Sequence, residues 1–197
     1  MKRKLIILAL LISSGSTYAA MPPSAVLCGS CHGPQGQGVE PLGPRLAGLS
    51  SDYIAQQVKL FQTGKRQNVT MAPMAMTLQG PAIKEVADYF STQDVPVVTP
   101  HLRGEKVSYT DPTEQLVYQG DWERMIPACV TCHGPSGVGV GDFPRLAGQQ
   151  ASYIKNQLIA WQQGTRGGDQ DAVMGTIAGK LTAAEIEALA QYFSTIK

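Results

Sequence analysis

Apolar residues recur at helical spacing near the end of the chain. The set falls at positions i, i+3, i+4 and i+7 and consists of Ile186, Leu189, Ala190 and Phe193. That spacing places all four side chains on one face of an α-helix. Thr182 and Glu185 precede the set at the separation of a capping box, in which each side chain bonds the backbone of the other residue. The pattern therefore predicts a terminal helix with one buried face.

The same apolar spacing occurs in an earlier segment and in the middle of each half of the chain. The earlier set consists of Ile83, Val86, Ala87 and Phe90, and the middle sets consist of Ile54, Val58 and Phe61 and of Ile154, Leu158 and Trp161. Gly80 and Pro81 start the earlier helix, and Gly64 or Gly164 ends each middle helix. No segment alternates convincingly with a period of two. The pattern thus predicts an all-α protein whose apolar stripes form its core.

The chain repeats itself after about one hundred residues. The segment CGSCHG at 28–33 returns as CVTCHG at 129–134, PRLAG at 44–48 returns at 144–148, and DYFST at 88–92 returns as QYFST at 191–195. The offset changes from 101 to 100 and then to 103 residues, as insertions in loops would produce. We interpret residues 21–95 and 111–197 as two duplicated domains. Residues 96–110 contain prolines and little apolar periodicity, which is typical of a linker.

The first twenty residues have the layout of a secretory signal peptide. Lys2, Arg3 and Lys4 form a basic start, an apolar run follows at 5–12, and small residues precede a cleavage position near Ala20. A membrane span needs about 20 apolar residues, so this run is too short to be one. We predict that residues 1–20 are cleaved and that the mature protein is soluble in the periplasm.

Composition and charge narrow the classes of function. The chain has 197 residues, of which 43% are hydrophobic and 16% charged, as expected for one ordinary domain or two small ones. Its formal net charge of +1 becomes −2 when the three basic residues of the signal peptide are removed. The mature chain contains no cluster of lysine and arginine, so we expect no nucleic-acid partner. Two small domains with glycine-rich loops have modest cores, which favours a bound group in each.

Both copies contain the spacing C-x-x-C-H, and the chain uses cysteine nowhere else. Two thiols on one helical turn reach the two vinyl groups of a single porphyrin, and the following histidine ligates its iron. This chemistry predicts two covalently bound haem c groups. The predicted thioether cysteines and iron-ligating histidines are Cys28, Cys31 and His32 in the first copy and Cys129, Cys132 and His133 in the second. The alternatives are zinc sites, thioredoxin-like pairs and structural disulfides.

The repeat also selects the sixth ligand of each iron, for which methionine suits a low-spin electron carrier. Met174 is the methionine downstream of the second haem motif, and it lies seven residues before Leu181. Counting back by the same distance in the first copy gives Met71. We therefore predict Met71 and Met174 as axial ligands. Met74 and Met76 are interpreted as residues that pack against the porphyrin, since methionine readily fills gaps.

A proline follows each histidine at a similar distance. Pro44 lies twelve residues after His32, and Pro144 lies eleven residues after His133. An iron-ligating histidine normally donates its second ring N–H to a carbonyl or carboxylate. We predict that the carbonyl groups of Pro44 and Pro144 accept these hydrogen bonds from Nδ1.

The arginine after each proline is a candidate partner for the acidic groups of the haem. Arg45 and Arg145 are predicted to pair with haem propionates, with exposure to solvent as the alternative. The third histidine of the chain, His101, lies in the linker between Pro100 and Leu102. We interpret His101 as a surface residue.

Several of these features together resemble the two-haem cytochrome c4 family of bacterial periplasms over nearly the whole mature chain. They are the two C-x-x-C-H motifs, the PRLAG and YI segments, Met71 and Met174 before a leucine, and the YF pairs of the terminal helices. The resemblance implies two class I cytochrome c folds with His/Met ligation at both irons. It also implies haems that face each other across a pseudo-twofold interface and electron transfer to a terminal oxidase. The second copy departs from the first in an additional helix that opens at Asp111.

The predicted function is that of an electron carrier in a respiratory chain, and we expect no enzymatic activity. The expected partners are redox proteins: a membrane terminal oxidase, a quinol–cytochrome c reductase complex or a dehydrogenase. Peripheral contact with the membrane stays open. The alternative is a two-haem subunit of a periplasmic dehydrogenase such as a flavocytochrome. A haem peroxidase needs an open iron position, and the paired Met71 and Met174 argue against one.

Overall fold

The structure is a computed structural model that describes residues 20–100 and 108–196. Residues 1–19 of the predicted signal peptide and the linker segment 101–107, which includes His101, lie outside the described residues. Within the described part, regular structure is helical, and the backbone pairs otherwise only as isolated β-bridges. The predicted all-α class is confirmed.

Helices follow the same order in both halves of the described chain. The first half contains α1 (Pro23–His32), α2 (Ser51–Gln62), α3 (Met71–Met76) and α4 (Pro81–Ser91). The second half contains α5 (Pro112–Tyr118), α6 (Cys129–His133), α7 (Ala151–Gln162), α8 (Val173–Ala178) and α9 (Ala183–Thr195), with 3₁₀ turns at Pro135–Gly137 and Gln170–Ala172. At the repeat offset of 101 residues the end of α1 corresponds to α6, and α5 is an additional helix of the second half.

The core of the first domain lies where α2 packs against α3 and α4, and α1 closes it by packing on α4. Ser50 caps α2 by accepting a hydrogen bond from the backbone N–H of Tyr53, at 3.1 Å. Pro81 occupies the first turn of α4, as the sequence predicts. The predicted stripes supply the buried residues Ile54, Val58, Phe61, Val86, Ala87 and Phe90.

The second domain has the corresponding core between α7, α8 and α9, and α5 packs on α9. The capping box of Thr182 and Glu185 is present at the start of α9. Asp111 accepts hydrogen bonds from the backbone N–H groups of Thr113 and Glu114, which opens the additional helix α5. The buried residues of the predicted stripes are Ile154, Leu158, Ile186, Leu189, Ala190 and Phe193.

Two loops account for the changes in the repeat offset. The first domain closes one loop with an antiparallel bridge between Val39 and Gly43, whereas the second closes it between Val140 and Phe143, with one residue fewer. The second domain then inserts the 3₁₀ turn Gln170–Ala172 ahead of α8. Insertions in loops therefore shift the offset, and the helices keep their order.

The two domains meet at an interface, called the seam below, to which residues 65–67 and 165–167 contribute equivalent contacts. Arg66 and Arg166 form an antiparallel bridge, the N–H of Gln67 donates to the carbonyl of Thr165, and the N–H of Gly167 donates to that of Lys65, both at 2.8 Å. Residues one hundred positions apart thus exchange reciprocal contacts, as at an interface with twofold symmetry. This arrangement agrees with the pseudo-twofold relation that the family resemblance implies.

The described ends of the predicted linker are attached to the domains. Val98 and Tyr109 are buried, and Tyr109 stacks on Tyr118 with ring centroids 4.9 Å apart. Arg145 donates to the carbonyl of Pro96 at 3.0 Å. No helix in the described ranges is long and apolar enough to cross a membrane.

Candidate haem sites

Helical backbone brings the cysteines and histidine of each motif onto neighbouring turns. Cys28, Cys31 and His32 lie in the last part of α1, and the corresponding residues of the second copy make up α6. No disulfide joins any of the four cysteines, which argues against the disulfide alternative. Burial raises the pKa of Cys28 and raises that of Cys129 to about 12. A thioredoxin-like pair needs a lowered thiol pKa, so this environment does not suit that chemistry.

The two histidines have identical hydrogen-bond partners. Nδ1 of His32 lies 2.8 Å from the carbonyl oxygen of Pro44, and Nδ1 of His133 lies 2.8 Å from that of Pro144. A carbonyl oxygen only accepts, so Nδ1 carries the proton and Nε2 is left with its lone pair. Both rings are 6% exposed. Each imidazole is thus fixed in the tautomer that ligates a metal through Nε2.

Burial lowers the pKa of both histidines and favours the neutral, metal-binding form. The hydrogen bond to the proline carbonyl opposes this shift in each case. The pKa of His133 is lowered further by the positive charge of Arg166. The charge of Arg166 therefore acts on the histidine of the second haem site.

Glycine-rich loops hold each proline opposite its histidine. The carbonyl of His32 accepts from the N–H of Gly38 at 2.8 Å, and that of His133 accepts from the N–H of Gly139 at 2.7 Å. Gly36 has a φ of +64°, and a Cβ there would lie 2.7 Å from the ring of Phe90. The positive φ and the close approach both require glycine at this position.

The predicted methionine ligands lie in the first turn of two short helices, and an upstream side chain accepts a hydrogen bond from the backbone N–H of each methionine. The N–H of Met71 donates to Oδ1 of Asn68, and the N–H of Met174 donates to Oδ2 of Asp169, at 2.8 and 2.7 Å. Both methionines are partly buried and pack against the core of their own domain, as Cys28 and Cys129 do. Met74 and Met76 are 38% and 57% exposed.

A glutamine in each domain, which sequence reasoning missed, ties the methionine helix to the middle helix. Nε2 of Gln62 donates to the carbonyls of Ala75 and Leu78, and Nε2 of Gln162 donates to those of Ala178 and Leu181. All four distances are 2.8 or 2.9 Å. The repeat carried the signal, because both residues are glutamine one hundred positions apart.

Arg45 and Arg145, the predicted propionate partners, lie at the boundary between the domains. Nε of Arg45 donates to the carbonyl of Gly148 at 3.2 Å, and the backbone of Arg45 exchanges two hydrogen bonds with the side chain of Gln149. Nε of Arg145 donates to the carbonyl of Ala147 at 2.9 Å. Both guanidinium groups therefore already bond backbone carbonyls.

A second pair of arginines, Arg66 and Arg166, is almost fully buried where the two domains meet. Arg66 donates to the hydroxyl of Tyr153 at 2.7 Å, and Arg166 donates to that of Tyr53 at 2.9 Å. Each also donates to the middle-helix glutamine of its own domain, Gln57 or Gln157, at 2.8 Å. The repeat again carried a signal that sequence reasoning did not use, since position 66 and position 166 are both arginine.

These buried arginines supply a test of whether the chain suits haem. Among the described residues neither makes an ion pair with a carboxylate, although a buried cation without an anion is costly. A haem carries two carboxylates as well as vinyl groups and iron. The free thiols, the two fixed imidazoles and the two buried cations match these groups, so the residues fit one haem in each domain.

Comparison with known proteins gives the same assignment. The family model for cytochrome c matches residues 24–105 and 115–197. A thiosulfate dehydrogenase electron acceptor from Thiomonas intermedia (strain K12) is 40% identical over 193 residues, which cover 94% of this chain and 86% of the relative. The solved structure of reduced recombinant cytochrome c4 from Pseudomonas stutzeri is 32% identical, with a TM-score of 0.75, over 88% of this chain and 95% of that one.

A third similar protein is longer than this chain. It is the thiosulfate dehydrogenase TsdBA from Marichromatium purpuratum in its as isolated form, with a TM-score of 0.76 and 42% identity over 86% of this chain. This chain spans about a third of that polypeptide, at 36% of its length.

The fold and the paired sites define a c-type cytochrome with two haem domains in tandem. Each C-x-x-C-H motif attaches one haem c covalently, and the protein carries electrons without being an enzyme. Within this class the chain belongs to the cytochrome c4 family. The predictions of two covalent haems and of two duplicated cytochrome c folds are confirmed.

Proposed function

We propose that this cytochrome accepts electrons in the periplasm from a thiosulfate-oxidising dehydrogenase and passes them to a membrane terminal oxidase. The observation that supports the donor is the 40% identity to a protein named thiosulfate dehydrogenase electron acceptor, over 94% of this chain. A polypeptide named thiosulfate dehydrogenase also contains a segment similar to nearly all of this chain. The acceptor rests on the resemblance to cytochrome c4.

The proposed axial ligands are His32 and Met71 in the first domain and His133 and Met174 in the second. When bound, each haem supplies an iron that alternates between the ferrous and ferric states and so carries one electron. The prolines keep Nε2 of each histidine free of a proton. Asn68 and Asp169 hold the first turn of each methionine helix in place. In this proposal one nitrogen and one sulfur of the chain would hold each iron.

The proposed division of the chain assigns one haem to residues 21–95 and one to residues 111–197, with 96–110 as the linker and 1–20 as a cleaved export signal. The direct seam between the domains supports electron exchange inside the chain. Reciprocal hydrogen bonds fix the relative orientation of the two sites, because any rotation would break them. A fixed orientation keeps one separation between the two haems, and a donor and an acceptor then have separate domains on which to dock.

Stopped-flow reduction tests the proposed donor. The ferric holoprotein is mixed with a purified thiosulfate dehydrogenase and thiosulfate, and haem reduction is followed optically. We expect rapid reduction of both haems only when enzyme and substrate are both present. A control with sulfite in place of thiosulfate should give no reduction. Reduction no faster than with thiosulfate alone would reject this donor, and copurification with a flavin-containing chain would favour the flavocytochrome alternative.

The terminal oxidase needs a separate measurement. Membranes that contain the oxidase, but no other cytochrome c, should consume oxygen faster when the reduced protein is added. No increase in oxygen uptake, together with normal reduction by the dehydrogenase, would retain the donor and reject the acceptor.

A further inference from the structure

A buried hydrogen-bond donor in the second domain has no partner in the protein. The Nε1 atom of Trp161 is buried, and among residues 20–100 and 108–196 no acceptor lies within hydrogen-bond reach of it. Leaving such a donor unpaired is unfavourable, because it has lost its hydrogen bond to water without gaining another. Native proteins rarely leave that cost uncompensated, so a group other than these side chains and backbone atoms is expected to accept from Nε1.

The position of Trp161 places this donor at the second haem site. Trp161 lies in the last turn of α7 and packs against the same core as Met174 and Cys129. The guanidinium of Arg166 stacks over its ring, with Cζ 3.8 Å from the centroid. Arg166 also lowers the pKa of His133 through its charge. Trp161 therefore shares the core that holds Met174 and Cys129 and lies directly against a buried cation.

The acceptor expected for the N–H of Trp161 is an anion. An indole N–H donates and never accepts, and the adjacent Arg166 makes the surroundings positive. The haem of the second domain is the bound group that the site requires, and its hydrogen-bonding atoms are its carboxylate oxygens. We propose that the indole N–H of Trp161 donates to a carboxylate of the haem bound by the second domain, and that it tunes the potential of that haem alone.

The first domain lacks this donor. Its matching residue is Phe61, and Arg66 stacks over that ring with Cζ 4.5 Å from the centroid. The cation and the ring are repeated, but the N–H group is present in one domain only. A donor to an ionised carboxylate draws away part of its negative charge, which otherwise stabilises ferric iron. The two haems consequently differ in this respect even though their histidine sites are alike.

The first test measures how fast each indole N–H exchanges with solvent. The chain has two tryptophans, and Trp122 is 72% exposed. In ¹⁵N-labelled ferrous holoprotein we expect one indole N–H that exchanges rapidly with solvent and one that is protected and shifted by its hydrogen bond. Trp161→Phe should remove the protected signal, and the control Trp122→Phe should remove the other. Equal, rapid exchange of both signals would overturn the proposal.

The second test measures both reduction potentials with chemical mediators at alkaline pH, where the carboxylates stay ionised. Trp161→Phe should lower one potential and leave the other unchanged, because the unshielded carboxylate then favours the ferric state. Phe61→Trp should raise the potential that Trp161→Phe leaves unchanged. Phenylalanine occurs naturally at position 61, so the substitution at 161 suits the fold, and circular dichroism checks this.

Unchanged potentials in Trp161→Phe would overturn the proposal even if the indole were protected, since a bound water would then be the acceptor. Equal shifts of both potentials would also overturn it. The inference rests on the proposed function only in that the haems carry electrons. Mediator titration involves neither the dehydrogenase nor the oxidase, so a wrong partner would leave these results intact.

Discussion

Met71 differs from its two neighbouring methionines in what surrounds it. Met71 is partly buried against the first-domain core, and its backbone N–H is held by Asn68, whereas Met74 and Met76 are largely exposed. An axial ligand must approach the iron from a fixed backbone, and a capped first turn supplies that. These surroundings support the proposal that Met71, and not Met74 or Met76, is the iron ligand.

Replacement of Met71 by alanine tests this assignment. We expect the sulfur-to-ferric-iron charge-transfer band to fall by about half, because one of two methionine ligands is lost. Carbon monoxide should then bind rapidly to one ferrous haem. Met74→Ala is the matched control and should leave both properties unchanged. An intact band in Met71→Ala, or a halved band in Met74→Ala, would contradict the assignment.

The sequence revealed the residues of the haem motifs much better than the buried arginines between the domains. Spacing predicts the roles of His32 and His133, because covalent haem attachment has a strict local pattern. Nothing local marked Arg66 or Arg166, whose role depends on tyrosine and glutamine side chains of the opposite domain. Such contacts between distant segments leave no trace in spacing. Only comparison of the two copies, position by position, signalled them.

At the scale of elements, the two methionine helices are too short to be stable by themselves. Each has six residues, and isolated helices shorter than about 12 residues are marginal in water. Their position depends on capping side chains at one end and on Gln62 or Gln162 at the other. Sequence patterns accordingly predicted the longer α2, α4, α7 and α9 but gave no periodic signal for α3 or α8.

Removal of the cap on α8 should loosen the second methionine ligand. Asp169→Ala deletes the acceptor of the Met174 N–H, which costs about 1 kcal/mol. We expect the charge-transfer band of one haem to disappear at a lower temperature than in the unmodified protein. Asp169→Asn is the control, because Asn68 caps the equivalent helix and the amide keeps the acceptor. Equal losses in both variants would show that charge, and not the cap, matters at this position.

The contact between Arg124 and Glu185 at the start of α9 should make the stability of the protein depend on pH. Hydrogen bonds from Arg124 hold the pKa of Glu185 below its usual range, against the raising effect of partial burial. A carboxyl with a lowered folded-state pKa contributes stability above its unfolded pKa and loses it as pH falls through the folded value. Glu185→Gln should lower the Tm at neutral pH and flatten the fall in Tm on acidification.

Thermal unfolding followed by circular dichroism from about pH 7 to about pH 3 measures this effect. Glu123→Gln is the control, because Glu123 is an exposed neighbour of Arg124 and should retain the acid sensitivity of the unmodified protein. An unchanged slope in Glu185→Gln would show that this cap does not contribute to acid unfolding.

For the whole molecule, duplication was visible in the sequence, but the way the copies meet was not. The apolar stripe of a helix identifies the face that is buried inside its own domain, and both copies carry such stripes. The seam instead uses backbone groups of residues 65–67 and 165–167 and polar side chains, which look like ordinary surface in a sequence. Two equivalent loops pair with each other because a duplicated surface is self-complementary under a twofold relation.

Arg66 connects the domains, and its replacement should uncouple them. It donates to Tyr153 and Gln157 across the seam, both at 2.7 Å, from a buried position. Hydrogen bonds from charged groups contribute about 1.5–3 kcal/mol each, so Arg66→Met should weaken the seam by about 3–6 kcal/mol. We expect calorimetry of the holoprotein to change from one cooperative transition to two. Lys65→Met removes the same charge from the adjacent, exposed side chain and should keep a single transition, because the backbone bond from Gly167 remains. One transition in both variants would mean that backbone pairing alone couples the domains.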